Sequence, residues 1–328
     1  MIKVLFLNLD FMEYDKAIAN SLSNHGLSVT SYNYSPNPNF FHRLLRLFAG
    51  KKAMLIAADF AQKNLIKQFK EHNYDVVFMT AGHRMKVDTL KRLKQINPNT
   101  LFVWYSWDYE ELVDDFVNKI KCFDIVYNFE KRQARKYNIG FKPLFYCKPY
   151  DNTPKTVDLG FVGTYHSNRH EYICKILDTY PNISKEIYIL KHDERTTISK
   201  IIDALLFRKL PLEKYCHTKE LSYDETMQIT QKSKCMLDFP YTGQEGLTIR
   251  TLEALGAKCK LITTNSNIVN YDFYNDHNIY VIDPKKMELP PEEFILGDYE
   301  AVQNDIYTSY SLNSWIEWLI SIFSSNIQ

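Results

Sequence analysis

The sequence predicts an α/β protein made of two doubly wound domains, and three observations carry that reading. The chain has 328 residues, long for one hydrophobic core and natural for two of about 150 residues each. Continuous apolar runs of strand length alternate with segments of helical period, as in parallel sheets buried on both faces. The alternation stops once, at Lys148-Pro149-Tyr150-Asp151-Asn152-Thr153-Pro154, where two prolines and polar turn residues mark a boundary, and then starts again. The expected division is residues 1–150 and 151–305, followed by a helix in 306–328 with Trp315, Trp318, Leu319 and Phe323 at helical spacing.

Composition narrows the function classes. Hydrophobic residues make up 45% and charged residues 24%, so nothing requires disorder. A formal net charge of +1 argues against a nucleic-acid partner held by bulk electrostatics, and any basic surface must be local. Cys122, Cys147, Cys174, Cys216, Cys235 and Cys259 are scattered, with no close pair and no His at ligand spacing. They read as reduced thiols of a cytoplasmic protein, without a disulfide frame or a zinc site. The opening MIKVLFLNLD is too short an apolar run for a signal peptide, and no stretch approaches the ~18 apolar residues of a membrane span.

In the first half, residues 3–9 read as a buried strand, 14–24 as a helix ended by Gly26, and 28–34 as a second strand. The turn NLDFMEYDKA lacks G-x-G-x-x-G, which disfavours a dinucleotide site of the usual kind. In the stretch 40–52, from Phe40 to Lys52, the residues Phe41, Leu44, Leu45 and Phe48 fall on one helical face. Arg43, Arg46, Lys51 and Lys52 accompany them with no acid before Asp59. Such a helix fits either a peripheral contact with an anionic membrane or a core-facing helix with a solvated basic side. The strand at 74–80 runs into Ala81-Gly82-His83-Arg84, which places His83 as a candidate general base or phosphate contact. The strand at 100–107 ends in Tyr105-Ser106-Trp107-Asp108, an edge where aromatic faces and a carboxylate suit a sugar. Asp108-Tyr109-Glu110 looks like a metal-binding D-x-D, but its spacing is that of a helix start, so no metal is expected. A strand at 123–128 and a short basic helix complete this half.

The second half restarts with a strand at 157–162 and the turn Gly163-Thr164-Tyr165-His166-Ser167-Asn168-Arg169. Gly163 would let the backbone approach a ligand, and Arg169 would pair bidentately with a diphosphate. A strand at 186–190, an apolar stretch at 198–210 and a capped helix at 222–232 follow. The stretch 234–265, KCMLDFPYTGQEGLTIRTLEALGAKCKLITTN, then gives strand, polar loop, helix and strand in order. In it Glu245 and Glu253 stand eight residues apart with Arg250 between them. A helix starting near Gly246 sets the two carboxylates up to roughly 12 Å apart, at about 1.5 Å per residue. Its free N–H groups suit a diphosphate, and a carboxylate suits the diol of a ribose. That order of groups fits a nucleotide sugar. An ordinary i,i+3 pair of Arg250 and Glu253 on an exposed helix is the plainer alternative.

The same stretch resembles the E-x7-E signature of retaining-type glycosyltransferases of the GT-B fold. GLTIRTLEALGA resembles, within them, the CgeB-like branch of bacterial polysaccharide loci, and DLGFVGTYHSNR resembles that family's strand and Gly-rich turn. The resemblance implies an acceptor-binding first domain facing a nucleotide-sugar-binding second domain across a cleft, with residues 306–328 crossing back to the first. It implies that Glu245 meets the donor sugar and Glu253 the ribose, with Gly163, Thr164, Arg169, Tyr241, Gly246, Leu247, Thr248 and Arg250 completing the donor contacts. His83, Asp108 and Glu245 are the expected catalytic set; under retention no strong general base is needed, and His83 and Asp108 become positioning groups. The implied reaction moves a sugar from a UDP- or GDP-sugar to a hydroxyl of a surface glycan (capsule, lipopolysaccharide or exopolysaccharide) or lipid-linked saccharide, with no metal and no permanent cofactor. The implied place is the cytoplasm, at the inner face of the cell membrane. A sugar-nucleotide epimerase of the same fold and a catalytically silent nucleotide-binding scaffold remain as alternatives.

Overall fold

A computed structural model describes residues 1–11, 13–36, 51–166, 168–191, 212–241 and 243–327, with the backbone alone at 51–54 and 213. The chain forms two compact units, Met1–Leu144 with Leu312–Gln328, and Phe145–Ser311. The expected apolar stretch at 198–210 and most of the basic stretch 40–52 lie outside the described residues.

The first unit holds a six-stranded sheet of β1 (Lys3–Asn8), β2 (Ser28–Asn33), β3 (Val76–Thr80), β4 (Leu101–Ser106), β5 (Ile125–Asn128) and β6 (Gly140–Phe141). All neighbours are parallel, in the order β2-β1-β3-β4-β5-β6. Every residue of β3 and β4 is buried, which is why both read as unbroken apolar runs. Helices α1 (Tyr14–Asn24), α2 (Lys51–Glu71), α3 (Val87–Ile96), α4 (Phe116–Ile120) and α5 (Lys131–Tyr137) connect the strands.

The second unit repeats the plan with β7 (Val157–Thr164), β8 (Lys185–Leu190), β9 (Cys216–His217), β10 (Ser233–Asp238), β11 (Lys260–Thr263) and β12 (Ile279–Val281). Their order is β12-β11-β10-β7-β8-β9, again parallel throughout. Helices α6 (Arg169–Thr179), α7 (Tyr223–Lys232), α8 (Ile249–Gly256), α9 (Glu292–Leu296) and α10 (Asn304–Ser309) belong to it. Ser222 caps α7 in a complete capping box with Glu225. Strand order reverses between β1 and β3 in one sheet and between β7 and β10 in the other. Crevices at the carboxyl ends of such strand pairs are where open α/β sheets bind ligands.

The last helix, α11 (Leu312–Asn326), belongs to the first unit although it follows the second in sequence. Trp315, Ile316, Leu319 and Phe323 are buried. Trp315 meets Tyr105 edge-on at 4.9 Å, Phe323 meets Phe78 at 5.9 Å, and Trp318 meets Tyr127 at 4.7 Å. Tyr105 is therefore a core residue beneath this helix, and the sugar-facing edge expected of Tyr105 and Trp107 has lost its first aromatic.

Gly256, the last residue of α8, has a packing reason. A Cβ there would lie 2.5 Å from the Tyr146 ring, and the Tyr307 hydroxyl donates to the Gly256 carbonyl at 2.6 Å. Gly256→Ala is expected to cost about 1–3 kcal/mol by overpacking, read as a lower urea midpoint; an unchanged midpoint would show that Tyr146 yields freely.

Candidate functional site

The loop between β10 and α8 is fixed at both ends. At the end of β10 the buried Asp238 carboxylate accepts hydrogen bonds from the Thr248 and Thr251 hydroxyls at 2.5 and 2.6 Å. Thr248 is also the N-cap of α8, its hydroxyl accepting from the Thr251 N–H at 3.2 Å. From the end of β11, Asn265 donates through Nδ2 to the carbonyls of Glu245 and Gly246, each at 3.2 Å. Gly243 turns the loop with φ +88°, a conformation that favours glycine. Asp238 and Asn265 were not singled out from sequence. The signal was there in outline: an acid closing an apolar strand, with a Thr-x-x-Thr ten residues on.

Arg169, the first residue of α6, spans the switch point. Its guanidinium donates to the Phe239 carbonyl beyond β10 and, at 3.0 Å, to the Thr164 carbonyl of β7. Burial pulls its pKa down; Asp238 and then Tyr241 oppose that pull, and Arg250 adds to it, which places the two arginines within electrostatic reach of each other. Gly163 serves this clamp. A Cβ there would lie 2.9 Å from the Phe161 ring and 3.0 Å from Arg169 Nη1, so the glycine makes room for these protein groups. His166 stacks on Tyr241 at 3.7 Å and 7°. Burial first and Arg169 second push the His166 pKa down to about 4, so the ring is neutral at pH 7.

Two expected donor contacts change on inspection. Leu247 is 1% exposed and is a core side chain, so only its backbone can face a ligand. The Glu253 side chain is fully buried and forms an ion pair with Arg250, because position 253 turns to the inner side of α8. Burial, and then the Glu253 charge, push the Cys147 thiol up to about 12. In this arrangement Glu253 orients Arg250, and the ribose contact implied by the resemblance requires that pair to open. Tyr241, Gly246, Thr248, Arg250 and Glu245 do belong to one loop and helix start, with Glu245 half-buried and Tyr241 41% exposed.

In the first unit the loop after β3 is strained and heavily braced. Ala81, Gly82 and Arg84 all have positive φ, at 60°, 132° and 59°. The Gly82 N–H donates to the Tyr34 hydroxyl at 3.1 Å, and Trp104 Nε1 donates to the Ala81 carbonyl at 2.8 Å. The Arg84 N–H donates to Asp114 at 2.8 Å, and Asp114 is held in turn by the buried Lys119. Left-handed residues of this kind persist only where their surroundings over-determine them, and they gather at functional loops.

His83 is the residue this bracing presents. Its Nε2 lies 2.8 Å from an Asp108 oxygen and its Nδ1 lies 2.6 Å from the Leu112 carbonyl. Both partners are acceptors, an arrangement that favours the doubly protonated ring, the imidazolium. Burial lowers its pKa, but the Asp108 hydrogen bond and charge, with the Leu112 carbonyl, more than reverse this and leave the pKa raised. While both bonds hold, the ring offers no lone pair, and the geometry suits the positioning role. Nearby, the buried Asp15 accepts from the Phe11 N–H at 3.0 Å, the Leu9 N–H at 3.3 Å and the Thr80 hydroxyl at 3.1 Å. Burial raises its pKa to about 6. It holds the loop on which Phe11, 48% exposed, meets Trp107 at 6.3 Å. Among the described residues no group of acids, His and Cys is arranged to hold a metal ion.

No protein-family profile and no curated protein matches the sequence. Solved structures do match over the whole chain. A glycosyltransferase from Rickettsia africae ESF-5 is 13% identical, with 100% of this chain and 99% of that one covered and a TM-score of 0.62. A trehalose-6-phosphate structure from E. coli, bound with UDP-2-fluoro glucose, is 11% identical over 98% of each chain, at 0.63. The UDP-GlcNAc 2-epimerase from Neisseria meningitidis, bound to UDP-GlcNAc, is 9% identical over 99% of this chain and 100% of that one, at 0.59. At these identities the likeness is one of fold: two doubly wound units with a carboxyl-terminal helix, the GT-B architecture.

His83 is expected to titrate above its ordinary value of about 6.5, and Asp108→Asn to bring that value down, both read from ring NMR shifts. Because the folded pKa is the raised one, the stability it contributes is full below about 6.5 and is lost as pH climbs through the folded value. A ring pKa below 6.5 would contradict the imidazolium assignment. Asp238→Ala removes the acceptor of two hydroxyls and is expected to destabilise the second unit by about 1–3 kcal/mol. Asp238→Asn, which keeps one acceptor oxygen, should lose less in the same urea unfolding experiment.

Proposed function

We propose that the chain is a nucleotide-sugar-dependent glycosyltransferase whose donor site lies at the β7/β10 switch point. The observation that carries the reading is the braced loop at the start of α8, with Arg169 and Arg250 beside it and Glu245 at its mouth. Two guanidiniums and the N–H groups of Gly246, Leu247 and Thr248 offer positive charge to a diphosphate, and that same charge stabilises the diphosphate as it departs. Glu245 then contacts the donor sugar. Tyr241, Thr248 and Thr164 shape the site, and Glu253 takes the ribose once Arg250 turns to the phosphates.

The transfer goes to a hydroxyl of a bacterial surface glycan, capsule, lipopolysaccharide or exopolysaccharide, or to a lipid-linked saccharide, with retention and without a metal. The two acceptors around His83 support retention, since the ring offers no free lone pair while both bonds hold. In this reading residues 1–150 bind the acceptor, 151–305 bind the donor, and the chain belongs to the CgeB-like branch. The donor is a UDP- or GDP-sugar. The protein works in the cytoplasm, with the stretch 40–52 as a peripheral membrane contact.

Calorimetric titration with UDP, GDP, CMP and TDP tests the donor site. One nucleotide is expected to bind selectively, and Arg250→Lys, which keeps a cation beside the buried Glu253 but loses the guanidinium fork, to weaken it at least tenfold while the protein still melts cooperatively. Absence of binding by all four would end the transferase reading. Selective binding with conversion of UDP-GlcNAc at C2, and no transfer to any acceptor, would favour an epimerase.

A further inference from the structure

Helix α2 has two faces that differ in kind. Ala57, Ala58, Ala61, Gln62, Leu65 and Phe69 are buried and recur at helical spacing along one side. On the other side Leu55, Ile56 and Phe60 are 54%, 57% and 67% exposed, and the exposed Lys63, Lys67 and Lys70 follow them. With 3.6 residues per turn these six fall within an arc of about 140°. Single exposed apolar side chains are ordinary, but three large ones within six residues, continued by lysines on the same face, are not.

The charge on this face is mainly positive, and the one acid within its arc, Asp59, is paired off. Asp59 is held by Lys86 at 2.5 Å, and the other acid of the helix, Glu71, is its last residue. The whole chain carries a net charge of only +1, so the positive face is a local feature. No described helix is long and apolar enough to cross a membrane. A surface that combines bulky aliphatic and aromatic side chains with lysines suits the boundary of a bilayer, where the former enter the acyl region and the latter meet phosphate headgroups.

We propose that the outward face of α2 is a docking surface for an anionic lipid bilayer. The buried face of the same helix ties that surface to the His83 loop. Gln62 donates to the Arg84 carbonyl at 2.8 Å and accepts from the Lys86 N–H at 3.0 Å and the Thr89 hydroxyl at 2.9 Å. Docking would therefore fix the height and tilt of His83 above the bilayer. Its use in presenting a lipid-carried acceptor rests on the transferase reading; the docking itself does not.

The test is co-sedimentation of the full chain with vesicles of phosphatidylcholine, alone or mixed with phosphatidylglycerol. Binding to the anionic vesicles is expected to be at least tenfold tighter and to fall with added salt. Lys63→Gln with Lys67→Gln should weaken it about fivefold per lysine. Ile56→Ser with Phe60→Ser should weaken it at least tenfold, with the circular-dichroism melt unchanged in both variants. No binding to anionic vesicles, or binding undiminished in both variants, overturns the proposal. So does a dimer on size exclusion that Ile56→Ser with Phe60→Ser dissociates, because the face would then belong to a second copy. Titration of the same samples with UDP, GDP, CMP and TDP separates the two readings: binding of one nucleotide without vesicle binding removes only the docking surface, and vesicle binding with none of the four nucleotides bound removes only the donor site.

Discussion

A strand buried on both faces admits a polar side chain only where it finds a partner inside the protein, and this constraint arranges the molecule. In β3, β4 and β10 the chemistry is displaced to the carboxyl end of the strand and the residues past it: His83 after β3, Trp107 and Asp108 after β4, and Asp238 at the last position of β10 with the loop that runs to Thr248. Because all strands run parallel, those ends collect on one edge of each sheet. The reversal of strand order then decides which ends leave space for a ligand, β1 with β3 and β7 with β10. Arg169 closes the floor of the second space by holding both of its strands by their carbonyls.

Much of this was legible in the sequence, and the reason is physical. Apolar runs of strand length, Gly and Pro punctuation and the reset after Pro154 record local preferences, so the two-domain α/β plan could be read without coordinates. The loop and helix at Gly243 to Gly256 could be read for the same reason. What escaped were side chains whose partners are distant in sequence or sit on a neighbouring strand. Asn265 reaches back to Glu245, Asp15 reaches Thr80, and Gln62 reaches Arg84, Lys86 and Thr89. Nothing in the spacing of a glutamine among alanines announces that it will brace a loop on another element.

The corrections follow the same logic. Leu247 sits in a motif that invites a ligand-binding role, yet its side chain fills the core. Tyr105 and Trp107 look alike in a strand-end sequence, but Tyr105 lies inside β4 under Trp315 while Trp107 lies beyond it. His83 changed most. Its place in the chain was apparent, and its protonation state was not, because that depends on two acceptors supplied from the loop beyond β4.

The position of α11 has a consequence for how the chain is made. The first unit is discontinuous: Phe78, Tyr105 and Tyr127 find covering aromatic residues in α11, which follows the whole second unit in sequence. During synthesis the second unit, Phe145–Ser311, has all of its residues before the first does. The amino-terminal sheet must wait through that interval with an apolar face uncovered, until a segment made after the whole second unit returns to close it.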